Sequence, residues 1–338
     1  LFESTTIDNF IQHYVKLFEL CINNPDYPIN RFELRSITEV IQTQKLSACS
    51  KPAITQPSDK ASENNKLDGK ISISLIELFE KQSRATPNQQ ALHWSNGKTE
   101  VSVDYQNFNN RANQLAQWML EKGVKQNQSI GIILDKSPNL YILILACLKI
   151  GAAYVPIDLN YPISRTRAII DETQIVQLIV DKQHQNLVLV DCNIVTIDTA
   201  FKEARTYDLI NLPHVPTTSP AYILYTSGST GKPKGVVMCH DSLCNLTQWH
   251  QQHHRLGIKA RTFQFSAITF DVSFQEFATT LTTGGTLYSC PDELKKDPML
   301  LINYLHTNKI ERLFLPFVAL QQLTEAATHQ ALPTSIKD

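Results

Sequence analysis

The sequence predicts an α/β fold in which parallel-rich sheets are layered with flanking helices. Apolar runs of strand length recur along most of the chain, segments with helical spacing of apolar residues separate them, and cap or stop residues stand at the junctions. Residues 5–22 come first and place Ile7, Phe10, Ile11, Tyr14, Phe18 and Cys21 on one face of an amphipathic helix, with Ser4 or Thr5 near its cap. From Ser47 to Lys70 the chain is polar, carries Pro52 and Pro57, and has neither helical nor strand periodicity. The expected organisation is therefore a leading segment 1–45, a linker 46–70 and an α/β domain 71–338.

Within that domain Asp104 caps a helix whose apolar face carries Phe108, Ala112, Leu115, Met119 and Leu120. Val103 and Phe108 are spaced as a hydrophobic staple, and Gly123 stops the helix. Ile130–Leu134 reads as a buried strand. Ser137-Pro138 then opens a helix in the favoured cap-then-proline order, and Gly151 ends it before a strand at Ala152–Val155. Strand, helix and strand in this order make a βαβ unit. The alternation continues through Leu178–Val180, Ala221–Tyr225, Val236–Cys239 and Thr286–Tyr288, with Ala221–Tyr225 and Val236–Cys239 both read as short buried strands.

Composition narrows the class of protein. With 338 residues and a net charge of -1, the chain can bury a large core and offers no electrostatic case for nucleic acid or an anionic membrane as partner. Its seven cysteines are scattered without a Cys-x-x-Cys pair, which fits reduced thiols in the cytosol better than a disulfide framework. Leu140–Ile150 is strongly apolar but too short for a membrane span. The chain begins at Leu1 without a charged leader or cleavage site, so the expectation is a piece of a longer cytoplasmic protein. Cys239, Cys244, His250, His253 and His254 suggest a metal cluster, but a continuous helix over Ser242–His254 would fan them around its circumference. No metal site is expected.

The most informative stretch is Tyr225-Thr-Ser-Gly-Ser-Thr-Gly-Lys-Pro-Lys-Gly235. Gly228, Gly231 and Gly235 let the backbone approach an anion and present successive N–H groups. Thr226, Ser227, Ser229 and Thr230 add hydroxyl donors, and Lys232 and Lys234 add positive charge. The spacing matches neither a Walker loop, since Pro233 follows Lys232, nor a Gly-x-Gly-x-x-Gly turn, nor a nucleophile elbow. Glycine, serine and proline also favour a plain surface turn, which is the competing reading.

This stretch resembles the phosphate loop of adenylate-forming enzymes, the superfamily of acyl-CoA synthetases, luciferases and peptide-synthetase adenylation domains. Leu148-Lys-Ile-Gly-Ala-Ala-Tyr-Val-Pro-Ile-Asp158, continued by Tyr161-Pro162 and Arg165, is similar to the second core motif of nonribosomal peptide synthetase adenylation domains. Phe270-Asp-Val-Ser273 is similar to their fourth. Glu77-Leu-Phe-Glu80 through Thr86-Pro87, and Tyr105–Asn109 into Arg111-Ala-Asn-Gln-Leu-Ala116, resemble the opening helices and first core motif, although Asn107 and Phe108 stand where the family usually has Glu-Leu. The likeness covers Ile71–Asp338, and residues 1–45 resemble more loosely the C-terminal tail of a condensation domain.

The resemblance implies the layered fold of the large N-terminal subdomain and a definite chemistry. An amino-acid carboxylate attacks the α-phosphorus of ATP, pyrophosphate leaves, and the aminoacyl group passes to a phosphopantetheine thiol on a carrier-protein partner. Thr226, Ser227, Gly228, Ser229, Thr230, Gly231, Lys234 and Gly235 would hold the phosphates, with Lys232 either joining them or remaining a solvated loop charge. Asp271 would pair with the substrate ammonium, which an acyl substrate lacks; its other reading is a helix cap. Val272, Gln275 and Phe314 would line the side-chain pocket in an order similar to proline- and methylproline-activating domains, or else belong to the core. The residue that assists Mg²⁺ and the catalytic lysine of the family are expected beyond Asp338, leaving this fragment inactive alone. A stand-alone acyl-CoA ligase and a noncatalytic nucleotide-binding fragment are the alternatives.

Overall fold

The computed structural model describes residues 14–16, 18–20, 22, 74–185, 192–226, 233–253, 259–328 and 331–337. The chain divides into two units, residues 1–69 and 70–338. In the first, the described residues are helical, and the rings of Tyr14 and Phe18 meet edge to face with centroids 4.9 Å apart. The rest of the helix expected over 5–22, and the linker expected over 46–70, lie outside the described residues.

The second unit opens with α1 (Leu75–Ala85), where the Ser74 hydroxyl accepts the Glu77 N–H at 3.1 Å and caps the first turn. Strands β1 (Gln90–Ser95) and β2 (Glu100–Asp104) form an antiparallel pair. Asp104 then caps α2 (Tyr105–Glu121) by accepting from Asn107 N at 2.6 Å, and Gly123, with φ +90°, follows its end as expected. β3 (Ser129–Ile133) leads through Ser137-Pro138 into α3 (Pro138–Ile150), which is stopped by Gly151 at φ +67°. A side chain there would be strained, and its Cβ would lie 3.0 Å from Gln126.

β4 (Ala153–Pro156), α4 (Ile163–Thr173) and β5 (Ile175–Val180) continue the alternation, followed by β6 (Asn193–Thr196) and α5 (Ile197–Ala204). Next come β7 (Pro220–Thr226), β8 (Lys234–Cys239), α6 (His240–His253), β9 (Arg261–Phe263), α7 (Asp271–Leu281) and β10 (Thr286–Ser289). The described chain closes through α8 (Asp292–Lys295), α9 (Pro298–Thr307), β11 (Arg312–Leu313) and α10 (Phe317–Ala326).

Two sheets result. One has the order β6-β5-β3-β4-β7-β8 and is parallel except for β8; the other has the order β11-β9-β10-β1-β2 and is parallel except for β2. The largest core joins apolar residues of both sheets, such as Ile130, Tyr222 and Leu287, to residues of α1, α2, α3 and α7. A second core packs Ile169 and Ile170 of α4 against Val155 and Leu178, and a third packs Leu301, Ile302 and Leu305 of α9 against Phe263 and Tyr288. Helices and sheets therefore alternate in layers, because central strands such as β3, β4 and β10 are buried along their whole length and need cover on both faces.

Two local expectations are corrected, and the start of one helix is fixed. Val236–Cys239 is not a buried strand: β8 is the antiparallel edge of its sheet, with Val236 45% and Val237 54% exposed. α6 begins at His240 rather than Ser242. α7 begins at Asp271 itself, because Phe270 takes the extended cap position and its carbonyl receives the Ser273 hydroxyl at 2.6 Å. Among the described residues no helix is long and apolar enough to cross a membrane.

Gly285, just before β10, is a point of close approach, since an added Cβ would lie 2.4 Å from the Ala260 carbonyl oxygen. Gly285→Ala is expected to cost about 1–3 kcal/mol, as overpacking against fixed backbone does. Chemical denaturation measures the loss, and an unchanged midpoint contradicts this packing.

Burial also pushes the His240 imidazole down to about 4, with Asp241 pulling the other way, and neither ring nitrogen has a hydrogen-bond partner among the described residues. The unfolded chain, titrating near the ordinary value of about 6.5, then binds the extra proton between these limits. Stability is full above about pH 6.5 and falls as the pH is lowered toward 4. Thermal unfolding across that window should show a falling Tm, less steeply in His240→Asn; the same slope in both proteins contradicts the assignment.

Candidate functional site

The strands of both sheets direct the candidate residues to their carboxyl ends, where ligands of open α/β sheets bind. Thr226 is the last residue of β7 and is exposed, while Lys234 and Gly235 open β8 directly across the ladder, paired with Thr226 and Tyr225. The phosphate-loop stretch is thus the connection of a β-hairpin at a sheet edge. Gly235 lies against Tyr225, whose ring carbon Cζ would be 3.2 Å from an added Cβ. Ser227, Gly228, Ser229, Thr230, Gly231 and Lys232 lie outside the described residues.

In the other sheet β9 ends at Phe263, and a turn over 264–270 delivers Asp271 to the first position of α7. The exposed Asp271 carboxylate accepts the N–H of Val272 at 2.9 Å. Val272 and Gln275 are half-buried along the same helix. Phe314 follows β11 immediately, half-buried, with its ring 5.7 Å from that of the buried His250.

Tyr222 and Phe274 connect the two halves. Tyr222 lies on β7, upstream of Thr226, and its ring centroid is 5.5 Å from that of Phe274, which lies one turn after Asp271. Burial first, and the negative charge of Asp271 second, push the Tyr222 hydroxyl up to about 12. The strand that feeds the loop therefore packs against the helix that begins with Asp271.

Sequence reasoning missed the polar residues that hold the turn before Asp271. Glu276, fully buried, accepts Phe265 N at 3.0 Å, Ser266 N at 3.2 Å and Gln264 Nε2 at 2.9 Å. Lys136, just after β3, donates to Ser266 O at 2.7 Å and Phe265 O at 3.3 Å and lies 3.3 Å from Asp292. Lys295 donates to Phe265 O at 2.6 Å and pairs with Asp292. Burial pushes the Glu276 carboxyl up, and burial followed by the like charge of Lys295 pushes the Lys136 ammonium down; the charge of Lys136 and three N–H donors oppose the first, while Asp292 and Glu276 oppose the second. A signal was available, since Glu276 falls among Phe274, Phe277 and Ala278 on a helix, and Lys136 stands three residues past an all-buried strand.

Cavities among the described residues lie elsewhere, including one of about 480 Å³ lined by Trp118, Lys122, Gln177 and Glu203 among others, and one of about 590 Å³ lined by Asp135, Asp181 and Asp198 among others. None of the predicted residues lines either, and the three carboxylates of the second oppose a polyphosphate. Among the described residues no group of three or more His, Cys, Asp or Glu could hold a metal ion; the side chain of His253, and His254 entirely, lie outside them.

With this geometry in place, comparison with known proteins is decisive: the profile of the family described as AMP-binding enzyme matches residues 79–337. The chain belongs to the AMP-binding enzyme family. It is 33% identical over 312 residues to tyrocidine synthase 3 of Brevibacillus parabrevis, covering 92% of this chain and 4% of that protein. It is 35% identical over 254 residues to tyrocidine synthase 1 of the same organism, covering 74% and 23%. Bacitracin synthase 3 of Bacillus licheniformis is 37% identical over 244 residues, covering 71% and 4%. The chain thus spans less than a quarter of the length of these curated relatives. Among solved structures, the Klebsiella oxytoca NpsA N-terminal subdomain in complex with 3-hydroxybenzoyl-AMSN has a TM-score of 0.66 at 25% identity, covering 76% of this chain and 63% of that one. The nonribosomal peptide synthetase FmoA3 has a TM-score of 0.73 at 20% identity, covering 99% and 34%, a likeness of fold. This member of the AMP-binding enzyme family therefore has the layered fold of an adenylation N-terminal subdomain.

For this AMP-binding enzyme, Tyr141 of α3 provides a test of how the turn is held. Its hydroxyl reaches Gln264 Oε1 at 2.9 Å and Ser289 Oγ at 2.8 Å, across the layers. Tyr141→Phe leaves those buried groups without this partner and should cost about 1–3 kcal/mol of stability. Equilibrium unfolding measures it, and a loss below about 0.5 kcal/mol contradicts a buried hydrogen-bonded hydroxyl.

Proposed function

We propose that this chain is the N-terminal part of an adenylation domain in a nonribosomal peptide synthetase, where it contributes to converting an amino acid and ATP into aminoacyl-AMP and pyrophosphate. The observation that carries the reading is the packing of Tyr222 on β7, the strand that leads into the phosphate-loop stretch, against Phe274 of the helix that opens with Asp271. In this reading Thr226, Ser227, Gly228, Ser229, Thr230, Gly231, Lys232, Lys234 and Gly235 bind the ATP phosphates. Oriented N–H, hydroxyl and ammonium donors would hold the β- and γ-phosphates and stabilise the charge growing on pyrophosphate as the bond to the α-phosphorus breaks. The exposed hydroxyl of Thr226, opposite Lys234, suits an anion at the hairpin mouth. Mg²⁺ accompanies ATP and shields its charge.

Asp271 binds the substrate ammonium, with a charge-assisted hydrogen bond that a fatty acid would not use. That favours an amino acid over the acyl substrate of a stand-alone ligase. Val272, Gln275 and Phe314 line the side-chain pocket, and their half-buried, mostly apolar surfaces suit a small ring such as proline or a methylproline. The aminoacyl group then passes to the phosphopantetheine thiol of a carrier-protein domain. Residues 1–45 belong to a preceding condensation domain in this reading, with 46–70 as linker and a cytoplasmic setting.

Amino-acid-dependent pyrophosphate exchange by the full synthetase module, assayed over an amino-acid panel, tests the proposal. Exchange is expected with one or a few amino acids, proline-like ones first, and none with any amino acid rejects it. Asp271→Ala should raise the amino-acid KM about 10- to 100-fold, the size of a lost hydrogen bond to a charged group. An equal rise in the KM for ATP, or none at all, removes Asp271 from that role.

A further inference from the structure

We propose that Glu276, together with Lys136, is a positioning residue for amino-acid recognition: the pair fixes the turn over 264–270 and thereby the place from which Asp271 meets the substrate. The inference rests on the reading of Asp271 given above.

The backbone of that turn shows why side chains must do this. Between the end of β9 and the start of α7 the chain leaves its ladder, so its N–H and C=O groups need other partners. At Phe265 and Ser266 charged side chains provide them. Glu276 takes both N–H groups, Lys136 and Lys295 bond the Phe265 carbonyl, and Lys136 bonds the Ser266 carbonyl. The Gln264 amide adds a second donor to Ser266 O at 2.5 Å while also donating to Glu276. Toward the helix, Phe270 N donates to Ala267 O at 2.9 Å, and Ser273 bonds Phe270 O, so the lock is transmitted to the residue before Asp271.

Glu276 lies on the same helix as Asp271, five positions later, and reaches back to the turn that precedes both. The segment 265–276 is therefore a closed ring whose clasp is one carboxylate. Lys136 adds a second constraint: it belongs to the end of β3 in the six-stranded sheet, two strands from β7, yet holds a turn of the five-stranded sheet. Trp94 Nε1 donates to Lys136 O at 2.8 Å and fixes the lysine backbone in turn. Beside the Tyr222–Phe274 contact, the turn before Asp271 is thus tied to the six-stranded sheet by Lys136 and to its own helix by Glu276, with Lys295 sharing the Phe265 carbonyl. Both are too buried to touch substrate, with Lys136 8% exposed and Glu276 fully buried, so they act through Asp271 rather than beside it. Packing alone would favour apolar residues at such positions, because an ionised group is costly to bury.

The test uses the full synthetase module with Glu276→Gln, Lys136→Met and the conservative Lys136→Arg. Glu276→Gln keeps the volume but turns an NH₂ toward one of the two backbone donors. It should raise the amino-acid KM about tenfold or more, as loss of a charged hydrogen bond does, with the KM for ATP within about twofold. Lys136→Met should show the same split, and Lys136→Arg should recover most of the loss. Amide hydrogen exchange, read with or without activity, should show Phe265 and Ser266 protected in the parent and faster in Glu276→Gln while the β3 and β10 amides stay slow.

Parent-like KM values in an exchanging module, KM values for both substrates that rise together, or unchanged exchange at Phe265 and Ser266 would each overturn the positioning role. If the parent exchanges pyrophosphate with no amino acid, the functional reading fails instead, and the amide-exchange comparison still decides whether Glu276 holds the turn.

Discussion

A carboxylate with no solvent contact, Glu276, accepts two backbone N–H groups and a side-chain amide from the turn that enters its own helix, and a lysine from the other sheet holds the same turn by its carbonyls. Removing either charge from water costs several kcal/mol on its own, and their mutual field plus the hydrogen bonds offset that cost only in this geometry. The same low-dielectric surroundings strengthen each bond that is made. A turn held this way has one conformation, which a turn left to water would not.

The two sheets supply the frame for that constraint. Parallel strands of one sheet finish on the same side, and the bonds of Lys136 to Ser266 O and of Tyr141 to Gln264 and Ser289 bring the region after β3 to the ends of β9 and β10. Lys136, Thr226, Gln264, Cys290 and Phe314 each stand at or just past such an end. Their helices, α2, α3 and α7, fill the space between the sheets with apolar side chains and leave polar groups to the rim. Contacts such as Tyr141 to Gln264 and Trp94 to Lys136 then cross the layers where the strands stop. The proposed division of labour, with phosphate chemistry at a hairpin and amine recognition at a helix start, draws on this layout.

Much of the frame was legible in the residues. Asp104, Ser137-Pro138 and Gly151 mark helix limits by local chemistry that tertiary structure does not override, and the structure places them at those limits. The loop stretch and Asp271 were legible as candidate sites through residue type and order. Val236 and Val237 were misread because apolar β-branched residues look the same at an exposed edge as in a core; only pairing partners distinguish the two. The alternative reading of Asp271 as a helix cap does not match the structure, in which Phe270 takes the cap position and Ser273 bonds back to it. Glu276 and Lys136 were missed for a deeper reason: their partners are backbone atoms of a turn, and where those atoms point is settled by the fold, not by neighbouring letters.

The most direct measurement is a structure of the full module bound to a non-hydrolysable aminoacyl-adenylate analogue of the amino acid it exchanges. The Asp271 carboxylate is predicted to lie about 3 Å from the analogue's amine, a charge-assisted hydrogen bond, with the phosphate-equivalent group at the hairpin that follows Thr226. An amine bound on another surface, or a phosphate-equivalent group far from that hairpin, would contradict the single cleft on which this view of the molecule depends.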